Sequence, residues 1–130
     1  MMNRNARTTG AALVLLTGLL APVALAGPAS ASGGGVTARG ACGTATWKLK
    51  AAHDDGRIQV ELEVDSNRAG QAWSVRITDN GTTVFSGTRT TLAPSGSFEV
   101  RKLIANRAGA DVIRARATRG TQVCAGSVTL

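Results

Sequence analysis

From Thr44 to its last residue, the chain alternates apolar and polar side chains in short runs, and turn-forming residues separate these runs. Alternation with a period of two places successive side chains on opposite faces of a strand. A helix would need a period of 3.6 residues, which no part of this region shows. The pattern therefore predicts an all-β domain over residues 44–130. Its seven predicted strands cover residues 44–51, 57–65, 72–79, 82–90, 97–103, 110–118 and 121–130.

The dipeptide Asp55-Gly56 predicts a two-residue hairpin between the first two strands, because both residue types readily adopt the positive φ that such a turn requires. The turn fixes a register in which charged side chains pair on one face and apolar side chains meet on the other. The facing pairs that it predicts are Asp54–Arg57, Lys50–Glu61, Lys48–Glu63, Leu49–Leu62 and Trp47–Val64. Turn chemistry and hydrophobic pattern therefore agree on this hairpin.

Two further dipeptides, Asn80-Gly81 and Arg119-Gly120, predict hairpins later in the chain. The facing pairs that they predict are Ile77–Val84 and Ala115–Cys124. Seven short antiparallel strands joined by such turns are typical of an antiparallel β-sandwich of the immunoglobulin or fibronectin type III kind. Trp73 lies on the third predicted strand, where such folds often bury a tryptophan.

Residues 1–31 have the three parts of a secretory signal peptide, namely a positively charged start, an apolar run and a small-residue cleavage site. Arg4 and Arg7 supply the charge, and cleavage is expected after Ala31 or after Ala26. The alternative is a membrane anchor, but the apolar run is short for a span and is interrupted by Pro22. We therefore expect a secreted, extracellular protein without a membrane span after cleavage.

Residues 32–43 are rich in glycine and lack a clear pattern, so they are predicted to form a flexible leader. The chain contains two cysteines, Cys42 and Cys124. In an exported chain an even number of cysteines predicts disulfide bonding, and two cysteines allow one connectivity. Closing so long a loop is expected to stabilise the fold by roughly 4–5 kcal/mol in the loop-entropy account.

The chain is basic, with 15 Lys and Arg against 8 Asp and Glu and a net charge of +7. Arg76 is predicted on the outer face of the third strand, and Arg114 and Arg116 on the outer face of the sixth. In a fibronectin-like sandwich these two strands are neighbours, so the three arginines would form a cluster. The Asn80-Gly81 register places Phe85 opposite Arg76, on the same outer face.

An exposed aromatic side chain among arginines predicts a contact surface for an anionic polymer or an acidic protein. The partner remains open among an anionic cell-wall polymer, a polysaccharide and an extracellular protein. Nucleic acid is not expected, because the protein is exported and lacks interleaved basic and aromatic residues. Two other interpretations remain: scattered arginines also solubilise a sheet, and a bulge in the fourth strand would return Phe85 to the core.

Groups that could carry catalysis are scarce. His53 is the only histidine, and no Gly-x-Ser-x-Gly sequence is present to expose a nucleophilic serine. The neighbouring carboxylates of Asp54 and Asp55 do not complete a zinc or calcium ligand set with it. We therefore expect a protein that is not an enzyme and that uses neither a metal nor a cofactor.

Several segments resemble an uncharacterised family of small secreted actinobacterial β-sandwich proteins. These segments are Trp47-Lys48-Leu49-Lys50, Asp54-Asp55-Gly56-Arg57-Ile58, Val64-Asp65-Ser66-Asn67-Arg68, Asn80-Gly81, Pro94-Ser95-Gly96-Ser97-Phe98 and Val123-Cys124-Ala125-Gly126. The resemblance covers most of the chain after the signal peptide, and it implies secretion and a β-sandwich. It transfers no catalytic residue.

The function expected from the sequence is that of a secreted, non-enzymatic binding module at or outside the cell envelope, with Arg76, Phe85, Arg114 and Arg116 as its binding face. The alternative is an inhibitor of an extracellular protease. In that case the loop of residues 91–97, which contains Pro94 and Gly96, would be presented to the protease.

Overall fold

A computed structural model describes residues 34–130, so the predicted signal peptide lies outside the described residues. These residues form two four-stranded antiparallel sheets and contain no helix, which confirms the all-β prediction. No helix among them is long and apolar enough to cross a membrane. The eight strands are β1 (Gly35–Cys42), β2 (Ala45–Asp54), β3 (Arg57–Asp65), β4 (Ala72–Asp79), β5 (Thr82–Thr90), β6 (Ser97–Ala105), β7 (Val112–Arg119) and β8 (Gln122–Thr129).

The first sheet has the strand order β1-β2-β3-β6, and the second has the order β5-β4-β7-β8. The core lies between the two sheets, where the inward side chains of both are buried, including Leu49, Val60, Trp73 and Ile77. Strand β1 lies against β8 at one side of the sandwich, and β5 lies near β6 at the other. The alternation in the sequence follows directly from this arrangement, because each strand has one side toward the core and one toward solvent.

The structure corrects the number of strands, because residues 35–42 form β1 where the sequence predicts a flexible leader. The inward side chains of Val36 and Ala38 are half-buried and pack against the core. Gly40 faces Trp47 across the β1–β2 ladder, and a Cβ atom at Gly40 would lie 2.7 Å from the indole ring. A glycine is therefore required at position 40 because the indole of Trp47 fills the space that a side chain would need, and its presence does not indicate flexibility.

The hairpin between β2 and β3 has the predicted register, and all five predicted facing pairs are observed. Asp55 and Gly56 have φ angles of 49° and 77°, as the two-residue turn requires. Strands β4 and β7 are neighbours in one sheet, as expected for the strands that carry the three arginines. The bounds of β3, β4 and β5 also agree with the prediction.

The two other predicted registers are wrong. A bulge interrupts the β4–β5 ladder after Ile77, so Ile77 faces Phe85 instead of Val84. The turn between β7 and β8 consists of residues 120–121, so Cys124 faces Ala117 instead of Ala115. The second shift is by two residues and leaves every side chain on its predicted face, whereas a bulge shifts the side chains beyond it by one and exchanges their faces.

The disulfide bond joins Cys42 at the end of β1 to Cys124 in β8, as predicted, with a distance of 5.1 Å between the two Cα atoms. Both cysteines are buried in the core. The bond thus links an edge strand of the first sheet to an edge strand of the second. A disulfide indicates that the protein folds in an oxidising, extracellular type of environment.

Candidate functional site

Three arginines lie together on the outer face of the second sheet, where all three are exposed. Arg76 of β4 lies directly opposite Arg116 of β7, and Arg114 lies opposite Thr78, two residue pairs further along the same ladder. Directly opposed residues in an antiparallel pair have Cβ atoms about 5 Å apart, and diagonal neighbours about 7–8 Å apart. The sheet therefore brings together the three arginines that the sequence placed on one surface.

We call this outer surface of β5, β4, β7 and β8 the arginine face. Its outward positions in residues 34–130 contain neither Asp nor Glu. Besides the three arginines they are occupied by Ala72, Ser74, Thr78, Thr83, Ser86, Thr88, Thr90, Val112, Thr118, Val123, Ala125, Ser127 and Thr129. The surface therefore combines three positive charges with many hydroxyl groups.

No carboxylate neutralises these arginines within the part of the chain that the structure describes. The ion pairs found there join Arg101 to Glu61 and Glu99, and Arg107 to Asp79. On the arginine face itself, the Nε atom of Arg76 donates a hydrogen bond to Thr83 Oγ1 at 3.1 Å. Most guanidinium donors on this surface are thus available to an external acceptor.

The outer face of the first sheet has the opposite character, because its charges compensate one another. Lys48 faces Glu63, and Lys50 faces Glu61. Arg101 Nε lies 3.2 Å from Glu61 Oε1. Of the two outer faces, that of the second sheet is therefore the one whose positive charges have no facing carboxylate.

Two depressions flank the arginines. One, of about 510 Å³, is bounded by Arg114 and Arg116 on one side and by the small residues Ala125 and Ser127 of β8 on the other. These residues face the arginines directly across the β7–β8 ladder. The other depression, of about 300 Å³, lies between Arg76 and Arg116 and the hydroxyl-bearing positions Ser74, Ser86, Thr88 and Thr118. Both are open to solvent along the sheet surface.

Phe85 does not belong to the arginine face: the alternative named in the sequence analysis, a bulge in the strand of residues 82–90, is present and corrects the placement derived from the Asn80-Gly81 register. The bulge places one additional residue, Val84, in β5, so Phe85 pairs with the buried Ile77 and packs against the core. The guanidinium carbon of Arg89 lies 4.8 Å from the centre of the Phe85 ring. A bulge leaves the dipeptide turn signal unchanged, so the sequence pattern does not reveal it.

The predicted inhibitory loop forms a closed turn between β5 and β6. The amide of Gly96 donates a hydrogen bond to the Leu92 carbonyl at 2.8 Å, and the Leu92 amide donates one to the Ser97 carbonyl at 2.9 Å. Pro94 is exposed, whereas Gly96 is buried against the backbone of Arg68. Leu92 is 66% exposed, so the loop presents an apolar side chain on a constrained backbone.

His53 lies exposed near the β2–β3 turn, opposite Ile58. In residues 34–130, no group of three or more His, Cys, Asp or Glu side chains is placed to hold a metal ion.

Sequence analysis missed a buried pair of acids at one end of the sandwich. Asp79 and Asp111 are each only 1% exposed. Burial raises the pKa of Asp79, the neighbouring Asp111 raises it further, and Arg107 lowers it. The alternation of apolar and polar residues could have revealed this pair. Asp79 lies two residues after the inward Ile77, and Asp111 lies two residues before the inward Ile113, so both continue the inward series.

Comparisons with protein-family models, with curated proteins and with solved structures found no match to this chain.

Proposed function

We propose that this protein is a secreted, non-enzymatic binding module that acts at or outside the cell envelope and binds an anionic partner through its arginine face. The observation that carries the proposal is the direct opposition of Arg76 and Arg116 on a surface without a carboxylate. Like charges directly opposite each other destabilise a sheet. An anionic partner would supply the missing counter-charge and remove that cost.

The comparison between the two sheets supports this proposal. Arg39 also faces Lys48 on the first sheet, but Glu63 lies beside Lys48 on the next strand. The chain thus places acids next to its basic residues on one sheet and omits them on the other. If arginines served only for solubility, such a division between the sheets would not be needed.

Secretion is part of the proposal and has two supports. The first is the charged, apolar and small-residue pattern of residues 1–31, which is typical of a signal peptide. The second is the disulfide bond, since such bonds persist in oxidising compartments.

We also infer a relationship to the fibronectin type III or immunoglobulin sandwich. Without β1, the strand order becomes β2-β3-β6 facing β5-β4-β7-β8. This is a sandwich of a three-stranded and a four-stranded sheet, as in those folds. In this interpretation β1 is an additional edge strand, and the disulfide bond attaches it to β8.

The proposed function is tested by sedimenting the purified, oxidised protein with isolated actinobacterial cell walls over a salt series. We expect binding at low salt that weakens steeply as salt is added, because exposed charges are screened within roughly 10 Å at 0.1 M salt. The variant Arg114→Gln/Arg116→Gln should lose most of this binding. The matched control is Lys48→Gln/Lys50→Gln, which lowers the net charge equally but on the opposite sheet.

Equal losses in the two variants would show that net charge alone causes retention and would contradict a specific arginine face. Absence of sedimentation at every salt concentration would contradict an anionic wall partner.

The second candidate function, a protease inhibitor, is favoured by the exposure of Leu92 on a hydrogen-bonded loop. Its weakness is the shape of that loop, because a closed turn cannot pair with a protease as an extended strand does. Inhibition of a secreted protease at micromolar concentration, lost in Leu92→Ser, would favour this candidate over the first.

A further inference from the structure

We infer that the ligand of the arginine face is a linear phosphodiester polymer, whose charged groups lie in its own backbone. This inference rests on the proposed function and adds the chemical class of the partner. It draws on three features of the second sheet, which are the choice of arginine, the opposition of two arginines, and the narrow strip of small residues beside them.

The first feature is the use of arginine at all three charged positions of the face. The guanidinium group is a planar fork of donors that matches the paired oxygens of phosphate or carboxylate, whereas an ammonium group acts as a point charge. Of the three lysines, Lys48 and Lys50 face carboxylates on the first sheet, and Lys102 lies on β6 opposite Val60. The arginine face is therefore suited to a ligand that offers oxyanions.

The second feature is the direct opposition of Arg76 and Arg116, because it distinguishes between the two kinds of oxyanion. A carboxylate is flat, and one guanidinium group can donate hydrogen bonds to both carboxylate oxygens in the plane of the carboxylate. A phosphate is tetrahedral, so its free oxygens can accept hydrogen bonds from guanidinium groups that approach from different directions. Two arginines on neighbouring strands therefore favour a phosphate placed between them.

The third feature is the depression beside Arg114 and Arg116, which is lined by Ala125 and Ser127 on the adjacent strand. Neighbouring strands are about 4.8 Å apart, so a strip of small residues one strand wide accepts an unbranched chain better than a flat sugar ring. Arg114 and Arg116 are two residues apart along β7, or about 6.7 Å. That repeat is comparable to the separation of phosphates joined by a three-carbon diester bridge.

The orientation of Phe85 argues against a nucleic acid as this polymer. Proteins that bind single strands stack bases on aromatic side chains. Phe85 packs toward the core, and the outward positions of the arginine face in residues 34–130 contain no aromatic side chain. The face therefore offers contacts to phosphates and hydroxyls but no stacking surface for bases.

The test measures the affinity of the purified, oxidised protein for synthetic poly(glycerol phosphate) of defined length. Poly-L-glutamate and dextran sulfate with the same number of charges serve as comparisons. We expect the phosphate polymer to bind more tightly than both, and the logarithm of its affinity should fall linearly with the logarithm of the salt concentration, as for the phosphodiester backbone of nucleic acids. Tighter binding to poly-L-glutamate or to dextran sulfate would overturn the inference.

The decisive variant is Arg76→Lys/Arg116→Lys, which keeps the charge and removes the planar forks. We expect its affinity for poly(glycerol phosphate) to fall about tenfold, because an ammonium group cannot make the paired hydrogen bonds that a guanidinium group makes to an oxyanion. Its affinity for poly-L-glutamate should fall less, because one guanidinium group is enough to hold a flat carboxylate and a second adds little. Unchanged affinity for the phosphate polymer would overturn the inference.

The proposed function and the phosphate inference can be contradicted separately. If cell walls bind through the arginine face but the lysine variant binds them as tightly as the unchanged protein, the phosphate inference is wrong and the proposed function stands. If Arg114→Gln/Arg116→Gln binds walls and all three polymers as tightly as the unchanged protein, both are wrong.

Discussion

Arg76 and Arg116 face each other across β4 and β7, and the described residues place no carboxylate on their side of the sheet. In the absence of a ligand this arrangement costs stability, and with an anionic ligand it gains a counter-charge. The same pair therefore links the stability of the sandwich to its proposed function. Each consequence can be measured separately.

Arg116→Gln should stabilise the protein in the absence of ligand by a few tenths of a kcal/mol, because it removes a like-charge pair across the strands. The gain should shrink as salt rises, since screening weakens the repulsion in the unchanged protein. Urea unfolding at low and high salt measures both effects. As a control, Lys50→Gln should lower the free energy of unfolding, because Lys50 faces Glu61. A destabilised Arg116→Gln would contradict the repulsion.

Gly40→Ala should destabilise the protein by about 1–3 kcal/mol, because the added methyl group would lie 2.7 Å from the indole of Trp47. Thermal unfolding, followed by Trp fluorescence, measures the change. The control is Thr37→Ala, at an exposed position of the same strand, which should change stability by less than about 0.5 kcal/mol. If Gly40→Ala has no effect, residues 35–42 are not a packed strand.

Removal of the disulfide bond in Cys42→Ser/Cys124→Ser should lower the free energy of unfolding by about 4–5 kcal/mol in the loop-entropy account. The bond connects residues separated by 82 positions, and it fastens β1 to β8. Chemical denaturation of both forms measures the loss, and amide hydrogen exchange locates it. We expect exchange to accelerate most in β1. Equal protection of β1 in the two forms would contradict this role of the bond.

Asp79→Asn should gain stability relative to the unchanged protein as pH rises from about 4. Burial first, and Asp111 second, raise the pKa of Asp79 in the folded protein. The folded state therefore holds this proton more tightly than the unfolded state, so stability falls as pH rises through the folded pKa.

The difference between the two proteins should approach about 1.4 kcal/mol for each unit by which folding raises this pKa. Urea unfolding of both proteins at several pH values between 4 and 7 measures it. A stability difference that stays constant with pH, or that reverses, would show that Asp79 is already ionised throughout that window.

The sequence predicts most strands because their alternation records which side chain faces the core. The β2–β3 register was correct since turn chemistry, charge pairing and apolar pairing all pointed to the same pairs. Residues 35–42 were misjudged because glycine carries no side chain to show alternation. The reason for Gly40 lies across the ladder, at Trp47, and no local pattern contains that information.

The candidate site was predicted in part for the same reason. Arg76, Arg114 and Arg116 were placed together because alternation and sheet order are both readable from the sequence. Phe85 was misplaced because one additional residue in β5 exchanges the faces of the strand. The absence of acids from the whole arginine face became apparent only when four strands were aligned, since their outward positions are scattered along the sequence.

The most direct test of the central claim identifies the residues that contact an anionic wall polymer. Isotope-labelled protein would be titrated with solubilised anionic wall polymer while the backbone amide resonances are followed. The account predicts that the amides of β4, β7 and β8 around Arg76, Arg114 and Arg116 shift first and most, while those around Lys48 and Lys50 stay in place. Shifts centred on the first sheet, or on the loop of residues 91–97, would contradict it.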